Sequence, residues 1–322
     1  MWLNNFHLKS VASAPGKVIL FGEHFVVYGV KAILCSINKR VKVTSITTEE
    51  DSIYIKSNLG NITISRSKSL DEIKSPFLPF LYLAKTLLDK FDKKGGIEVT
   101  IESAIPSGVG LGSSSACCVA AAASISGLFT KYSKKEILKF AIEAEKTIFE
   151  NTSGADCTVC TFGGIIEYDK ENGSKKIDSP SNFHFVISNS NIPHSTNSVV
   201  DKVNHYKEKN ELVFSSLCKE ETELIKKAVQ YLKESDLGSL GKILTKNQEY
   251  LEKIGVSNNK LRKMIEIANQ TSYGSKITGA GLGGCIISLV NEAKLDQTLE
   301  NLEHKNFECF SAKIDSKGLD TF

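Results

Sequence analysis

The feature that most constrains the fold is a run of flexible residues placed directly before a helix-forming segment. Residues 105–124 read IPSGVGLGSSSACCVAAAAS, with glycine at every second position from Gly108 to Gly112 and three serines after them. Glycine permits close approach of the backbone, and the first turn of a helix offers unpaired N–H groups at the positive end of its dipole. The segment therefore predicts either an anion-binding loop or a flexible loop that ends in a serine N-cap.

The composition is typical of a globular protein and argues against several functional classes. The chain has 322 residues, 41% of them hydrophobic and 24% charged, which suffices for one large domain or two ordinary ones. A net charge of +3 is too small for a protein whose main role is to coat nucleic acid. The N-terminus lacks the pattern of a signal peptide, and the longest weakly polar run, 116–129, is too short to span a bilayer. We therefore expect a cytoplasmic protein that binds neither nucleic acid nor membrane.

The eight cysteines are too sparse for a disulfide scaffold in a chain of this length. Cys117 and Cys118 are adjacent in the alanine-rich segment, where we expect small apolar core residues. Cys157 and Cys160 match the C-x-x-C pattern, but no second cysteine or histidine pair accompanies them at metal spacing. A zinc or redox role for this pair is therefore a minor alternative.

The hydrophobic periodicity predicts an α+β protein in two lobes. Strand patterns over 9–20 and 30–48 precede a hairpin, a helix over 76–93, a strand, and the quoted loop with its helix. A polar stretch, 170–182, is the best candidate boundary. Beyond it the pattern gives a strand, four or more helices between 196 and 270, and a strand–helix–strand unit. Active sites often lie between such lobes, so we expect the site there.

Two further glycine-containing segments stand out. SAPGKVILFGEHFVVYG (13–29) places Lys17, Glu23 and His24 among apolar runs, which indicates either a polar pocket or a surface cation and a polar turn. KITGAGLGGCIISLV (276–290) matches G-x-G-x-x-G, but a strand rather than a helix follows it, so it is not a dinucleotide fingerprint. Nor is the first loop a Walker loop, because GVGLGSSS lacks the required lysine.

An acidic segment supplies two carboxylates on different elements. Asp156 lies just after TSG, and Glu145 lies eleven residues earlier on a predicted helix. Isolated carboxylates are mostly solvated surface groups. Their separation nevertheless allows one carboxylate to hold a metal ion while the other acts on a substrate.

These segments together resemble the GHMP kinases, named for galactokinase, homoserine kinase, mevalonate kinase and phosphomevalonate kinase. PSGVGLGSSSA is similar to their P-x-x-x-G-L-G-S-S-A motif, APGKVILFGEH to their first motif and KITGAGLGGC to their third, in the family's order. The resemblance implies a two-lobe fold with ATP and Mg²⁺ bound between the lobes. It implies a GHMP kinase N-terminal ATP-binding domain over 1–178 and a C-terminal domain over 179–322.

Within the family, GEHFVVYG and ENTSGADCTVCTFGG are most similar to segments of the mevalonate kinases, in their compact archaeal form. This implies ATP-dependent phosphorylation of mevalonate at its 5-hydroxyl, in isoprenoid biosynthesis. Another kinase of the family, acting on phosphomevalonate or a sugar, is the closest alternative. A non-catalytic ligand-binding protein of the same fold is a further alternative. The oligomeric state stays open, with a homodimer among the options.

The resemblance also implies roles for individual residues. Asp156 matches the catalytic aspartate and Lys17 the lysine beside it, while Ser114 and Glu145 match the Mg²⁺ ligands. On the acceptor side we expect Glu23, His24, Thr196, Gly279 and Ala280. The ATP-binding residues would be Pro106, Ser107, Gly108, Val109, Gly110, Leu111, Gly112, Ser113, Ser114, Ser115 and Ala116.

The chain departs from the family pattern at three positions near these residues. Thr152 replaces the expected proline, and Cys157 replaces the asparagine after the catalytic aspartate. His194 stands where an arginine is usual, which removes a fixed cation from the expected acceptor side. These changes leave the residues expected to carry phosphoryl transfer intact.

Overall fold

The computed structural model describes residues 7–106, 108–150, 152–180, 183–193 and 195–322. Its strands are β1 (Lys9–Phe21), β2 (Ala32–Thr48), β3 (Ser52–Ser57), β4 (Gly60–Ser65), β5 (Gly96–Ser103), β6 (Ile165–Asp169), β7 (Gly173–Ile177), β8 (His184–Asn189), β9 (Gly274–Thr278), β10 (Cys285–Val290), β11 (Cys309–Lys313) and β12 (Asp320–Thr321). Its α-helices are α1 (Leu78–Lys90), α2 (Ser113–Ser126), α3 (Lys134–Lys146), α4 (Ala155–Phe162), α5 (Thr196–Lys209), α6 (Glu211–Glu234), α7 (Leu237–Lys253), α8 (Asn259–Asn269) and α9 (Glu292–Glu303). A 3₁₀ turn spans Phe25–Tyr28.

The strands form two sheets, and helices pack against both, so the predicted α+β class is confirmed. The larger sheet has the order β12-β1-β2-β5-β3-β4, with β6 joining β2 and β7 joining β6. The smaller sheet has the order β11-β8-β10-β9 and is antiparallel throughout. In the described ranges no helix has both the length and the apolar character needed to cross a bilayer.

Helix α2 is the centre of the first core. Every residue from Ser115 to Ser126 is buried, and the helix packs against β1, β2, α3 and α4. A helix without a polar face belongs in an interior, and its small side chains allow the neighbouring elements to approach closely. Ser124 satisfies its buried hydroxyl by donating to the carbonyl of Ser10 on β1 at 2.9 Å. This packing fixes the direction in which the start of α2 points.

The sequence predicted most elements but missed several short ones. Four helices, α5 to α8, occupy the range 196–270 as expected. β7 lies inside the polar stretch 170–182, where four of its five residues are exposed, so it lacks the alternation that marks a half-buried strand. β9 has a single aliphatic residue, Ile277, and β12 is only two residues long. The expected division at residue 178 falls between β7 and β8, although β12 returns to the first sheet.

Arg40 on β2 attaches this returning C-terminal segment to the first sheet. Its Nη1 pairs with Asp315 Oδ2, and its Nη2 donates to the carbonyls of Ser13 at 2.9 Å and Gly318 at 2.7 Å. The guanidinium therefore holds β1 and the last residues of the chain together. A planar group with five N–H donors suits such a junction, because it can serve several acceptors at once.

We predict that Arg40→Met, which keeps an apolar stem but removes the guanidinium, lowers the free energy of unfolding by about 2–4 kcal/mol. The control is Lys42→Met on the same strand, because the Lys42–Glu102 pair is more than half exposed on both sides. Its loss should cost no more than about 0.5 kcal/mol. Urea denaturation of both variants measures the difference, and equal losses would contradict the role given to Arg40.

Candidate active site

The three motifs from the sequence meet at one place. The backbone N–H of Lys17 on β1 donates to the carbonyl of Leu111 in the glycine-rich loop at 2.9 Å. The N–H of Ile19, two residues on, donates to Thr278 Oγ1 at the end of β9 at 2.9 Å. The first motif therefore lies between the second and the third, and it links the two sheets.

The second and third motifs also touch each other directly. Gly110 and Gly279 face one another, and a methyl group on Gly279 would lie 3.4 Å from the Cα of Gly110. Both residues have φ of +85°, a conformation that side chains rarely adopt. Glycine at both positions thus allows the two loops to pack backbone against backbone.

The start of α2 lies at this junction. The helix begins at Ser113, and its N-cap is Gly112 in the left-handed conformation, with no capping side chain among the described residues. The alternative of a serine N-cap is therefore wrong for the described structure. In the loop before it, Val109 and Leu111 are buried and anchor the turn, whereas Ser107 lies outside the described residues. The loop and the uncapped first turn can together bind an anion.

Lys17 and Asp156 form an ion pair beside this helix start. Lys17 Nζ lies 3.0 Å from Asp156 Oδ2, and the side chains are 4% and 35% exposed, respectively. Asp156 stands in the first turn of α4, after the left-handed Gly154. The pair thus combines a buried cation with a carboxylate that solvent or a ligand can reach.

Glu145, at the end of α3, is a second carboxylate close to Asp156. Ser115 donates to its Oε1, and Thr152, which stands in place of the family's proline, donates to its Oε2 at 2.6 Å. Burial raises the pKa of Glu145, and the negative charge of Asp156 raises it further. The hydroxyl that contacts Glu145 is that of Ser115, while Ser114 lies half-buried in the first turn of α2.

Glu23 and His24 lie on the other side of the ion pair, where β1 ends. Glu23 is buried and pairs through Oε1 with Lys276 Nζ, and its Oε2 has no partner among the described residues. His24 donates from Nε2 to the carbonyl of Ala280 at 2.7 Å. Burial, and to a lesser degree the charge of Lys276, lowers the pKa of His24 to about 4. The ring is therefore neutral at pH 7.

Thr196 is less directly connected to these groups. It is exposed in the first turn of α5, and the segment before it touches the third motif, where Gly284 N–H donates to the carbonyl of Ile192 at 3.4 Å. His194 lies outside the described residues.

Cys157 and Cys160 are packed inside the protein. Burial raises the pKa of both thiols well above the usual value, so they are neutral and poor nucleophiles at pH 7. Within the described ranges no group of three or more His, Cys, Asp or Glu side chains could hold a metal ion. The burial of both thiols disfavours the zinc or redox alternative.

Sequence reasoning missed three buried residues in the surroundings of Glu23. Lys276 opens the third motif, but its position before a glycine run carried no signal of burial. Glu221 on α6 and Asn247 on α7 are fully buried, and Asn247 Nδ2 donates to Glu221 Oε2 at 2.6 Å. Neither residue belongs to a motif, so only the packing of the two helices places them here.

Comparisons with known proteins match most of the chain. The model of the GHMP kinases N terminal domain matches residues 80–164, and that of the GHMP kinases C terminal matches 228–309. Mevalonate kinase of Methanocaldococcus jannaschii is 33% identical over 320 residues, covering 94% of this chain and 99% of that protein. Mevalonate kinase of Pyrococcus furiosus is 35% identical and covers 88% of this chain and 89% of its own. A crystal structure of the Methanococcus jannaschii mevalonate kinase has a TM-score of 0.85 at 30% identity, covering 97% of this chain and 100% of that one.

The contact between Gly112 and Lys17 gives a stability test of the site. A Cβ on Gly112 would lie 2.6 Å from Lys17 Cγ, so we predict that Gly112→Ala displaces the buried lysine and lowers the free energy of unfolding by about 2–4 kcal/mol. Gly173→Ala is the control, because Gly173 has a similar φ of +78° but open space around it, and should cost only about 1 kcal/mol. Chemical denaturation compares the two, and equal costs would show that Lys17 is not packed against Gly112.

Proposed function

The chain belongs to the GHMP kinase family, and from that premise we propose that it transfers the γ-phosphoryl group of ATP to the 5-hydroxyl of mevalonate. The Lys17–Asp156 pair beside the uncapped start of α2 is the observation that carries the proposal. It supplies a base and a cation next to a phosphate-binding loop. The similarity to mevalonate kinases over nearly the whole chain supports the choice of acceptor.

The glycine-rich loop and the first turn of α2, which together span residues 106–116, bind the phosphates of ATP. The backbone N–H groups of both parts carry partial positive charge that attracts the anion, and the dipole of the buried helix adds to this attraction. Because α2 is packed on all sides, these donors are preorganised and need no rearrangement when the transition state forms.

Asp156 acts as the general base. It accepts the proton of the acceptor hydroxyl while the hydroxyl oxygen bonds to the γ-phosphorus, and the bond from that phosphorus to the β–γ bridging oxygen breaks to release ADP. Lys17, which is paired with this carboxylate, stabilises negative charge on the attacking oxygen. Most of the catalysis is positioning and charge stabilisation, as phosphoryl transfer requires.

Ser114 in the first turn of α2 and Glu145 at the end of α3 would hold a magnesium ion. Ser114 offers a hydroxyl and Glu145 a carboxylate. Mg²⁺ prefers oxygen ligands and is usually bound by one or two protein groups together with substrate phosphates. Burial and then the charge of Asp156 raise the pKa of Glu145, so a divalent cation would relieve this unfavourable pairing of carboxylates. When bound, the ion would neutralise charge on the phosphates.

Glu23, His24, Thr196, Gly279 and Ala280 form the acceptor side. Since His24 donates from Nε2 to Ala280, its neutral ring leaves Nδ1 as an acceptor. Glu23 Oε2 is a second acceptor without a partner among the described residues. One buried and one half-buried acceptor suit a substrate with several hydroxyl groups, such as mevalonate. The division at residue 178, a homodimer and the cytoplasmic location stay predictions.

An acceptor assay tests the proposed function. Release of ADP from Mg·ATP is measured with mevalonate, 5-phosphomevalonate, galactose and homoserine, and phosphorus NMR locates the new phosphate. We expect turnover with mevalonate alone, giving the 5-phosphate, and loss of turnover when Mg²⁺ is chelated. Preference for another acceptor would contradict the substrate assignment, and no turnover with any acceptor would favour a ligand-binding protein.

A second prediction concerns Asp156. We expect Asp156→Asn to lower kcat by about 10²–10⁴-fold, because a positioned base contributes that factor, while the affinity for ATP stays nearly constant. Asp201→Asn, an exposed residue of α5, serves as the control and should keep full activity. Steady-state kinetics measures both variants, and full activity of Asp156→Asn would rule out its role as base.

A further inference from the structure

A cluster of buried charged side chains lies behind the acceptor side. It consists of Glu23 after β1, Glu221 on α6, Lys276 on β9 and their neutral neighbour Asn247 on α7. Each of the four side chains is at most 4% exposed. Buried charges are costly unless they are paired and hydrogen-bonded, so such a cluster needs a reason.

Glu221 holds the backbone of the acceptor turn. Its Oε1 accepts from the N–H of Gly22 at 2.8 Å, and its Oε2 accepts from Asn247 Nδ2 at 2.6 Å. Gly22 is closely packed on its other side, because a Cβ there would lie 2.5 Å from the carbonyl oxygen of Lys31. The contact therefore fixes this point of the chain from a helix that lies about 200 residues further along.

The next two residues of the turn are held by β9 and by the turn that follows it. Glu23 pairs with Lys276, and His24 donates to the carbonyl of Ala280. His24 has φ 63° and ψ −37°, which is unfavourable for a residue with a side chain and persists only when the surroundings enforce it. Three successive residues, 22 to 24, thus depend on contacts from α6, β9 and the turn after β9.

The charges of this cluster do not balance. Two carboxylates face one ammonium, and burial raises the pKa of Glu221 to about 7, with the charge of Glu23 adding to the effect. Burial also raises the pKa of Glu23 and lowers that of Lys276. The other titratable groups near Glu221 are Tyr250 on α7 and Cys218 on its own helix.

We propose that Glu221 is a positioning residue for the acceptor, because it holds the turn 22–24 through the backbone N–H of Gly22. In its ionised form Glu221 accepts from Gly22 and Asn247 and holds the turn in place. Protonation weakens both hydrogen bonds and loosens the backbone at Gly22, directly before Glu23 and His24. This inference rests on the proposed function, since Glu23 and His24 are acceptor-binding residues only in a kinase of that type.

The test compares Glu221→Gln with Glu223→Gln, an exposed residue two positions along α6 that pairs with Lys226 on the surface. We expect Glu221→Gln to raise the KM for mevalonate about tenfold, the loss expected for one hydrogen bond to a charged group. The kcat and the KM for ATP should stay within about twofold, because only acceptor binding is affected. The control variant should match the wild type.

The pH profile separates positioning from a merely structural role. In the wild type kcat/KM for mevalonate should fall as the pH drops below about 7, because Glu221 takes up a proton there. This fall of kcat/KM at low pH, the acidic limb of the profile, should be absent in Glu221→Gln. In Asn247→Ala the acidic limb should move to higher pH, since the hydrogen bond from Asn247 lowers the pKa of Glu221. Titration of ATP affects all variants equally and cancels in the comparison.

Each contrary result has a separate meaning. Wild-type protein that does not phosphorylate mevalonate contradicts the proposed function, and the variants are then compared with the acceptor that it does phosphorylate. An active wild type with a Glu221→Gln variant that behaves like Glu223→Gln contradicts the positioning role alone. If Glu221→Gln does not fold, the pH profile of Asn247→Ala decides, and an unshifted limb overturns the inference.

Discussion

The site depends on one costly arrangement, a lysine buried on β1 between β2 and the glycine-rich loop. Lys17 is 3% exposed, and a cation so placed requires a carboxylate within reach. Asp156 meets that requirement only because α4 begins beside β1, and Gly112 leaves the space that the lysine stem occupies. Lys17 therefore contacts both Asp156 and the glycine-rich loop from its place on the first strand.

The turn 22–24 is held in a different way from Lys17. The turn is strained and its charged groups are buried, so it keeps its shape only through contacts from α6, β9 and the loop after β9. Strain that is maintained by distant elements is common where a ligand must meet a fixed set of groups. The glycine-rich loop rests on the local geometry of the start of α2, whereas the turn 22–24 rests on contacts from the elements around the second sheet.

The extent to which the sequence predicted this structure differs between elements. Long amphipathic or apolar segments such as α3, α6 and β10 were predictable, because their periodicity is set by burial of one face or of both. β7, β9 and β12 were not predictable, since an edge strand of exposed lysines or a strand with one aliphatic residue has no such pattern. The serine cap before α2 was a reasonable expectation, but the chain enters that helix through Gly112.

The sequence by itself identified the glycine-rich loop, Lys17 and Asp156 as candidate site residues, because each lies in a short motif, whereas the pairing of Lys17 with Asp156 depends on the packing of α4 against β1. Only the tertiary structure decided that Glu145 is held by Ser115 and Thr152, and that Glu221 and Lys276 meet Glu23. Gly22 and Glu221 belong to no common motif, and their contact exists because α6 packs over the end of β1. Burial of a polar group is a property of the packed elements around it, which no short window of sequence contains.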